Sequence, residues 1–241
     1  MGVPIARLVC ASNENKVLFD FFQTGTYDKN REFVLTSSPS MDILISSNLE
    51  RLIYAIAGGD AKKNRELMEN LKKNGVYEIS LEMKEKLSDF YGGYATEEET
   101  ARMIGETYKS TGYVMDPHTA VAAWVSRAYR EKNGDDKKML VVSTASPYKF
   151  SRSVMTALDA FGGKASGTDG GTALASSAGK AGEAVADGGV DEFSLVDALE
   201  KASGVEVPNA VKEIRGAKIL HARECDAGRM EETVKEILGM K

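Results

Sequence analysis

Cysteine, histidine, tryptophan and proline are all scarce, with two, two, one and five residues in a chain of 241. Two thiols as distant as Cys10 and Cys225 make no disulfide framework. With only His118 and His221 as further soft ligands, no metal-ligand spacing exists either. Reduced thiols, no metal and a cytoplasmic setting are the expectation. Long apolar runs are also missing, since nothing approaches the roughly 20 residues needed to cross a bilayer. The opening Met-Gly-Val-Pro-Ile-Ala reads as no signal peptide, and Ala6 stands where an N-myristoylation signal carries Ser or Thr. Excess positive charge is lacking too: 31 Lys and Arg against 36 Asp and Glu give a formal charge of −5. The two signs are interspersed along helical stretches, so there is no concentrated basic face for a phosphate backbone. Neither a membrane nor a nucleic acid is expected as a partner.

What is present is an ordinary globular composition, 42% hydrophobic and 28% charged, in a chain long enough to bury a sizeable core. Ala6 to Ser12 (ARLVCAS) reads as a buried parallel strand. A helix follows from Asn13, with Val17, Leu18, Phe21 and Phe22 on one side, and ends at Gly25. Phe33 to Thr36 reads as a second strand, leading into the polar loop Ser37-Ser38-Pro39-Ser40. From Leu49 to Ser110 the pattern reads as almost wholly helical. Its stripe of Leu49, Leu52, Ile53 and Ile56 stops at Gly58-Gly59, Asp60 caps the next helix, and Thr96 with Glu99 forms a capping box. Phe90, Tyr91 and Tyr94 around Gly92-Gly93 read as packing at a helix end. Asp116-Pro117 opens another helix, because Asp caps the free N–H groups and Pro needs no donor in the first turn. Lys138 to Thr144 (KMLVVST) is the clearest buried strand and runs into a second cap at Ser146-Pro147.

Strand–loop–helix units of this kind bind ligands at the carboxyl ends of their strands, which points to Ser12-Asn13 and Ser143-Thr144. The hydroxyls and N–H groups of Ser37, Ser38 and Ser40 suit an oxyanion, or equally an ordinary turn around Pro39. Asn13 and Asn15 either face the site or serve the local backbone, Asn13 as a helix cap, and Asp42 caps or orients the serine loop. His118, at the second position of its helix, either donates to an anion or covers the turn. Gly162 to Gly189 is rich in Gly, Ala and Ser and too poor in large apolar residues to offset its own ordering. Its GTDGGTAL string has no flanking strand and helix and no P-loop lysine, so it reads as a flexible insertion. Helix, turn and helix follow, then a short strand at Ala217 to His221 and a closing amphipathic helix from Met230 to Leu238.

Five strings, in order, resemble threonine synthase: MGVPIARLVCASNENKVLFDF, LTSSPSMDILISSNLERLIY, STGYVMDPHTAVA, VVSTASPYKFSRSV and SGVEVPNAVKEIRGAKILHAR. The last is similar to the tail of the longer bacterial and fungal form. The resemblance implies an α/β fold, the C-terminal part of a fold-type II PLP-enzyme (tryptophan synthase β-like) architecture with a large helical insertion at about 49–111. It implies three divisions: 1–161 as the C-terminal part of the catalytic domain, 162–189 as the insertion, and 190–241 as a helical tail. The family converts O-phosphohomoserine and water to threonine and phosphate with pyridoxal 5'-phosphate (PLP). Its Schiff-base lysine lies in a Phe-Lys-Asp context, and a Gly-Asn loop holds the cofactor phosphate; neither string occurs here. The expectation is therefore a chain that begins at an internal family position, carries no catalytic lysine, and needs the missing N-terminal part as its partner.

Carried over residue by residue, the resemblance makes Thr144 the hydroxyl partner of the PLP pyridine nitrogen, with Ser143 beside it. Asn13, Ser38 and Asp42 become substrate-side residues. Lys149 matches a family lysine that is not the Schiff-base residue. Ser146 replaces a histidine often found there, and it has a sufficient role as a helix cap. A non-enzymatic α/β phosphometabolite-binding module, using Ser37 to Ser40 and nearby helix N-termini, is the competing reading.

Overall fold

The computed structural model describes residues 4–163, 191–220 and 223–240. These fall into two units, residues 1–206 and 207–241. The Gly/Ala/Ser-rich stretch from 164 onward, and His221 at the end of the expected short strand, lie outside the described residues.

In the first unit, β1 (Leu8–Ser12) runs parallel to β4 (Phe90–Tyr94), with Leu8 opposite Phe90 and Ser12 opposite Tyr94. A second small sheet joins β2 (Thr26–Asp28) and β3 (Val76–Glu78) antiparallel. Between β1 and β2, α1 (Val17–Thr24) ends at Gly25, whose φ of 79° gives the left-handed turn that the sequence anticipates. Val17 and Phe21 of α1 are fully buried, on the face predicted from their spacing. Phe21 meets Tyr77 edge-on at 6.1 Å, while Tyr27 stacks on Tyr77 at 5.3 Å. The Tyr27 hydroxyl keeps a polar outlet, donating to Leu44 O at 3.0 Å and accepting from Ser46 N at 2.8 Å.

The helices form where capping and periodicity place them. α2 (Leu49–Ile56) buries Leu49, Ile53 and Ile56. α3 (Ala61–Asn74) starts at Asp60, which accepts from the N–H groups of Lys62 and Lys63. The short α4 (Leu81–Glu85) is capped by Ser80. α5 (Glu97–Thr111) opens on the complete Thr96–Glu99 capping box. α6 (Pro117–Asn133) opens on Asp116, and α7 (Ser151–Phe161) follows a 3₁₀ turn at Pro147–Phe150. α8 (Glu192–Ser203) buries Leu195, Val196 and Leu199. In the second unit, α9 (Asn209–Arg215) and the closing α10 (Met230–Ile237) are short and have no buried side chain.

Four expectations are corrected. Residues 49–110 are not wholly helical, because β3 and β4 interrupt them. The FYGGY string is β4 itself, and its glycines admit neighbours rather than end a helix. A Cβ on Gly92 would sit 3.2 Å from the Phe19 backbone, and one on Gly93 would sit 2.4 Å from Val125 Cγ1. Phe33 to Thr36 is not a strand. Its ladder partner is a side chain: Asn15 Nδ2 donates to Val34 O at 2.6 Å, and Val34 N donates to Asn15 Oδ1 at 2.9 Å. Finally, Lys138 to Thr144 is neither buried nor a strand, with Leu140 90% and Val142 70% exposed. A strand exists only through ladder bonds to a neighbour. Here a cleft separates the segment from β1, and no strand among the described residues pairs with it.

Candidate functional site

The cleft between β1 and the 138–144 segment has a volume of about 400 Å³, within the range of small-ligand sites. Val9 and Ala11 line the β1 side, Leu140 and Val142 the far side, and Ser40 and His118 close the polar end. Thr144 stands exposed on the rim. Among the described lining residues there is no carboxylate, lysine or arginine. A ligand ring nitrogen at Thr144 would therefore meet a neutral hydroxyl, which can donate or accept a hydrogen bond and imposes no charge. That donor set fits a pyridine nitrogen held unprotonated.

Behind the polar end lies a cluster made by Asn13, Ser38 and Asp42, which the sequence singled out separately. Asn13 Nδ2 lies 2.7 Å from Asp42 Oδ1, 2.8 Å from Thr36 Oγ1 and 3.0 Å from Ser38 Oγ. Asn13 Oδ1 accepts from Asn15 N at 3.0 Å, which bends the chain between β1 and α1. Asn13 and Ser38 are buried, so these groups shape the loop from beneath. Every N–H from Thr36 to Asp42 donates inward. Thr36 donates to Asp42 Oδ2, Ser37 to Glu97 Oε2, Ser38 to Thr36 Oγ1 and Ser40 to His118 Nε2. Met41 and Asp42 donate to the carbonyls of Ser38 and Pro39. The loop thus has no free nest of N–H groups for an anion.

Glu97 and Glu14 are participants that motif reading missed. The Glu97 carboxylate takes both the N–H and the hydroxyl of Ser37, while its own N–H donates to Glu14 Oε1 at 3.1 Å. Burial holds the Glu97 carboxyl above its ordinary value; the two Ser37 bonds pull it down, and the Glu14 and Asp42 charges push it up again. A raised folded-state value means that the folded chain binds the proton more tightly. This contribution to stability is present below the ordinary glutamate value and lost as pH rises through the raised one. Glu97→Gln, whose amide can still accept from Ser37 N, is expected to flatten that part of the curve. Urea midpoints measured between pH 4 and 8 check this, and a variant with an unchanged pH slope would contradict it. In β1 the Cys10 thiol is half-buried, and desolvation pushes it up to about 11, so it is inert near neutrality.

Lys149 places its Nζ 5.8 Å from the Phe150 ring, away from the lining of the cleft. Ser146 caps the 3₁₀ turn, accepting from Tyr148 N at 3.4 Å. Among the described residues there is no metal-binding group of His, Cys, Asp and Glu, and no helix is long and apolar enough to cross a membrane.

Residues 119–169 match the family model described as "Threonine synthase, C-terminal". The "Threonine synthase-like 1" protein of Macaca fascicularis is 42% identical over 160 residues, covering 66% of this chain and 21% of that protein. Threonine synthase of Saccharomyces cerevisiae is 38% identical over 176 residues, covering 67% of this chain and 34% of the yeast protein. In fold, the chain is similar to PLP-bound threonine synthase from Brucella melitensis, with a TM-score of 0.62 and 40% identity over 67% of this chain and 34% of that one. The yeast threonine synthase structure gives a TM-score of 0.63 and 35% identity over 68% of this chain and 35% of that one. The chain thus spans between a fifth and about a third of the length of these relatives. Over the two thirds of its length that align, the chain matches the C-terminal part of threonine synthases in sequence and in fold.

Proposed function

We propose that this chain supplies the cofactor-ring side and part of the substrate pocket of a threonine synthase, the PLP lyase that converts O-phosphohomoserine and water to threonine and phosphate. The lysine-bearing N-terminal part is its obligatory partner, and the chain alone is inactive. When bound, PLP supplies the electron sink for carbanion chemistry. Thr144 holds the ring nitrogen through its hydroxyl, and Ser143 fixes the backbone next to it. Asn13, Ser38 and Asp42 act on the substrate through the loop they hold. Val9, Ala11 and Val142 keep water from the reacting face. A cytoplasmic enzyme with no membrane or nucleic-acid partner goes with this reading.

The single observation that carries it is the Thr144 hydroxyl on the rim of a cleft lined without carboxylate or ammonium groups. The competing reading, a stand-alone phosphometabolite module, draws no support from the 36–42 loop, whose N–H groups are all engaged inward. The test is PLP titration of the chain joined to a lysine-bearing N-terminal part. Thr144→Val is expected to weaken PLP at least about tenfold, or ~1.4 kcal/mol, while Thr144→Ser stays near the parent. Equal affinity in all three would remove Thr144 from the cofactor site.

A further inference from the structure

We propose that Asp116 and His118 are positioning residues, a relay that locks the 36–42 loop to the chain carrying Ser143 and Thr144 and so fixes the polar end of the cleft. Its meaning for catalysis rests on the reading of Thr144 given above; its geometry does not.

The relay begins at the cap of α6. The Asp116 carboxylate is fully buried and accepts from His118 N at 2.9 Å, from Thr119 N at 3.4 Å, from the Thr119 hydroxyl, and from the His118 ring at 3.0 Å from Nδ1. A cap alone would use only the first two of these bonds. The other two commit the carboxylate to two side chains that leave in different directions. One is His118, whose Nε2 lies 3.1 Å from Ser40 N. A backbone N–H can only donate, so Nε2 must carry no proton and Nδ1 must carry the one shared with Asp116. The ring packs on Phe150 at 4.8 Å, which limits its rotation. The other is Thr119, whose Oγ1 lies 2.9 Å from Ser143 Oγ. Its single proton goes to the carboxylate, so the Ser143 hydroxyl supplies the proton of that second bond.

One buried carboxylate thus joins residues 40 and 143 through four side chains, across sequence separations of 78 and 24 residues. Ser40, His118 and Thr144 all border the same cleft. Removing the acceptor at Nε2 leaves Ser40 N without a partner and frees the loop, although nothing at the ring nitrogen itself has changed. This separates a positioning role from a contact role.

The test is amide hydrogen exchange and imidazole ¹⁵N spectroscopy on the full chain, followed by PLP titration of the chain joined to a lysine-bearing part. The His118 ring is expected to show a protonated Nδ1 and a bare Nε2. His118→Leu is expected to speed exchange at Ser40 at least about tenfold and to weaken PLP in parallel. His118→Gln, whose side-chain oxygen reaches the position of Nε2, is expected to restore both. Thr144→Val is expected to leave Ser40 exchange unchanged, so a failure of the Thr144 reading registers in PLP affinity alone. Ser40 exchange unaltered in His118→Leu, or a proton on Nε2, would overturn the relay.

Discussion

Substituting leucine for Gly105 is expected to destabilise the chain by about 3 kcal/mol, the upper end of what overpacking costs. Gly105 is buried where α5 crosses the end of α7. A Cβ there would lie 2.4 Å from Phe161 Cβ, 2.7 Å from the Phe161 carbonyl carbon and 2.8 Å from Gly162 N. Two of these three atoms are backbone, so relief requires the end of α7 to move. Alanine is the sharper comparison, because two effects oppose each other. A mid-helix Gly→Ala change gains about 1 kcal/mol of propensity. The clash removes about 1–3 kcal/mol. With backbone on the receiving side the clash falls in the upper part of that range, about 2–3 kcal/mol, so Gly105→Ala is expected to lose about 1–2 kcal/mol net. Urea midpoints rank the three chains. An alanine variant more stable than the parent would mean that α5 and α7 do not approach as closely as described.

Asp42→Ala is expected to have a comparable effect by a different route. Asp42 Oδ1 accepts from Asn13 Nδ2 at 2.7 Å, Asn15 Nδ2 at 3.0 Å and Thr36 Oγ1 at 2.7 Å, and Oδ2 accepts from Thr36 N at 3.0 Å. Truncation leaves Thr36 N with no partner and strips the charge that holds both asparagine amides. At 1–3 kcal/mol for each stranded group, with partial rescue by water, the loss is about 3 kcal/mol. Asp42→Asn is nearly isosteric but puts a donor where only acceptors serve, so most of that loss should remain. Exchange at Val34 and Thr36 should accelerate with the fall in stability, since Val34 N donates to Asn15, whose amide this carboxylate holds, and Thr36 N donates to the carboxylate itself. A loss below about 0.5 kcal/mol, the usual size of a surface effect, would show the cluster to be dispensable.

What the sequence made legible were the local contracts between a residue and the backbone within four positions of it. Gly25, Asp60, the Thr96–Glu99 pair and Asp116-Pro117 begin or end helices as their chemistry requires. The failures share one cause, distance along the chain. The glycines of β4 answer to α1 and Val125, which no local pattern reports. Lys138 to Thr144 has the composition of a buried strand, but composition cannot supply the neighbour that would bury it. Ser143 and Thr144 were marked as residues at the carboxyl end of an expected strand, and a role at a cofactor ring was added only by resemblance to a family. Asn13, Ser38 and Asp42 were each marked as polar residues near strand ends, yet their convergence on one another was invisible. His118 was weighed as an anion donor or a cover for its turn, whereas its Nε2 is an acceptor for Ser40, 78 positions away. Glu97 escaped notice because the capping box beside it already explained the start of α5.

On the proposed function, this chain contributes to turnover only together with lysine-bearing sequence that lies outside residues 1–241. The most direct measurement is phosphate release from O-phosphohomoserine in the presence of PLP, by the chain alone and by the chain co-expressed with a lysine-bearing N-terminal part of a threonine synthase. Release only when both parts are present is the expected result. Release by the chain alone, or tight binding of phosphorylated ligands by it with no turnover on adding the other part, would contradict the claim.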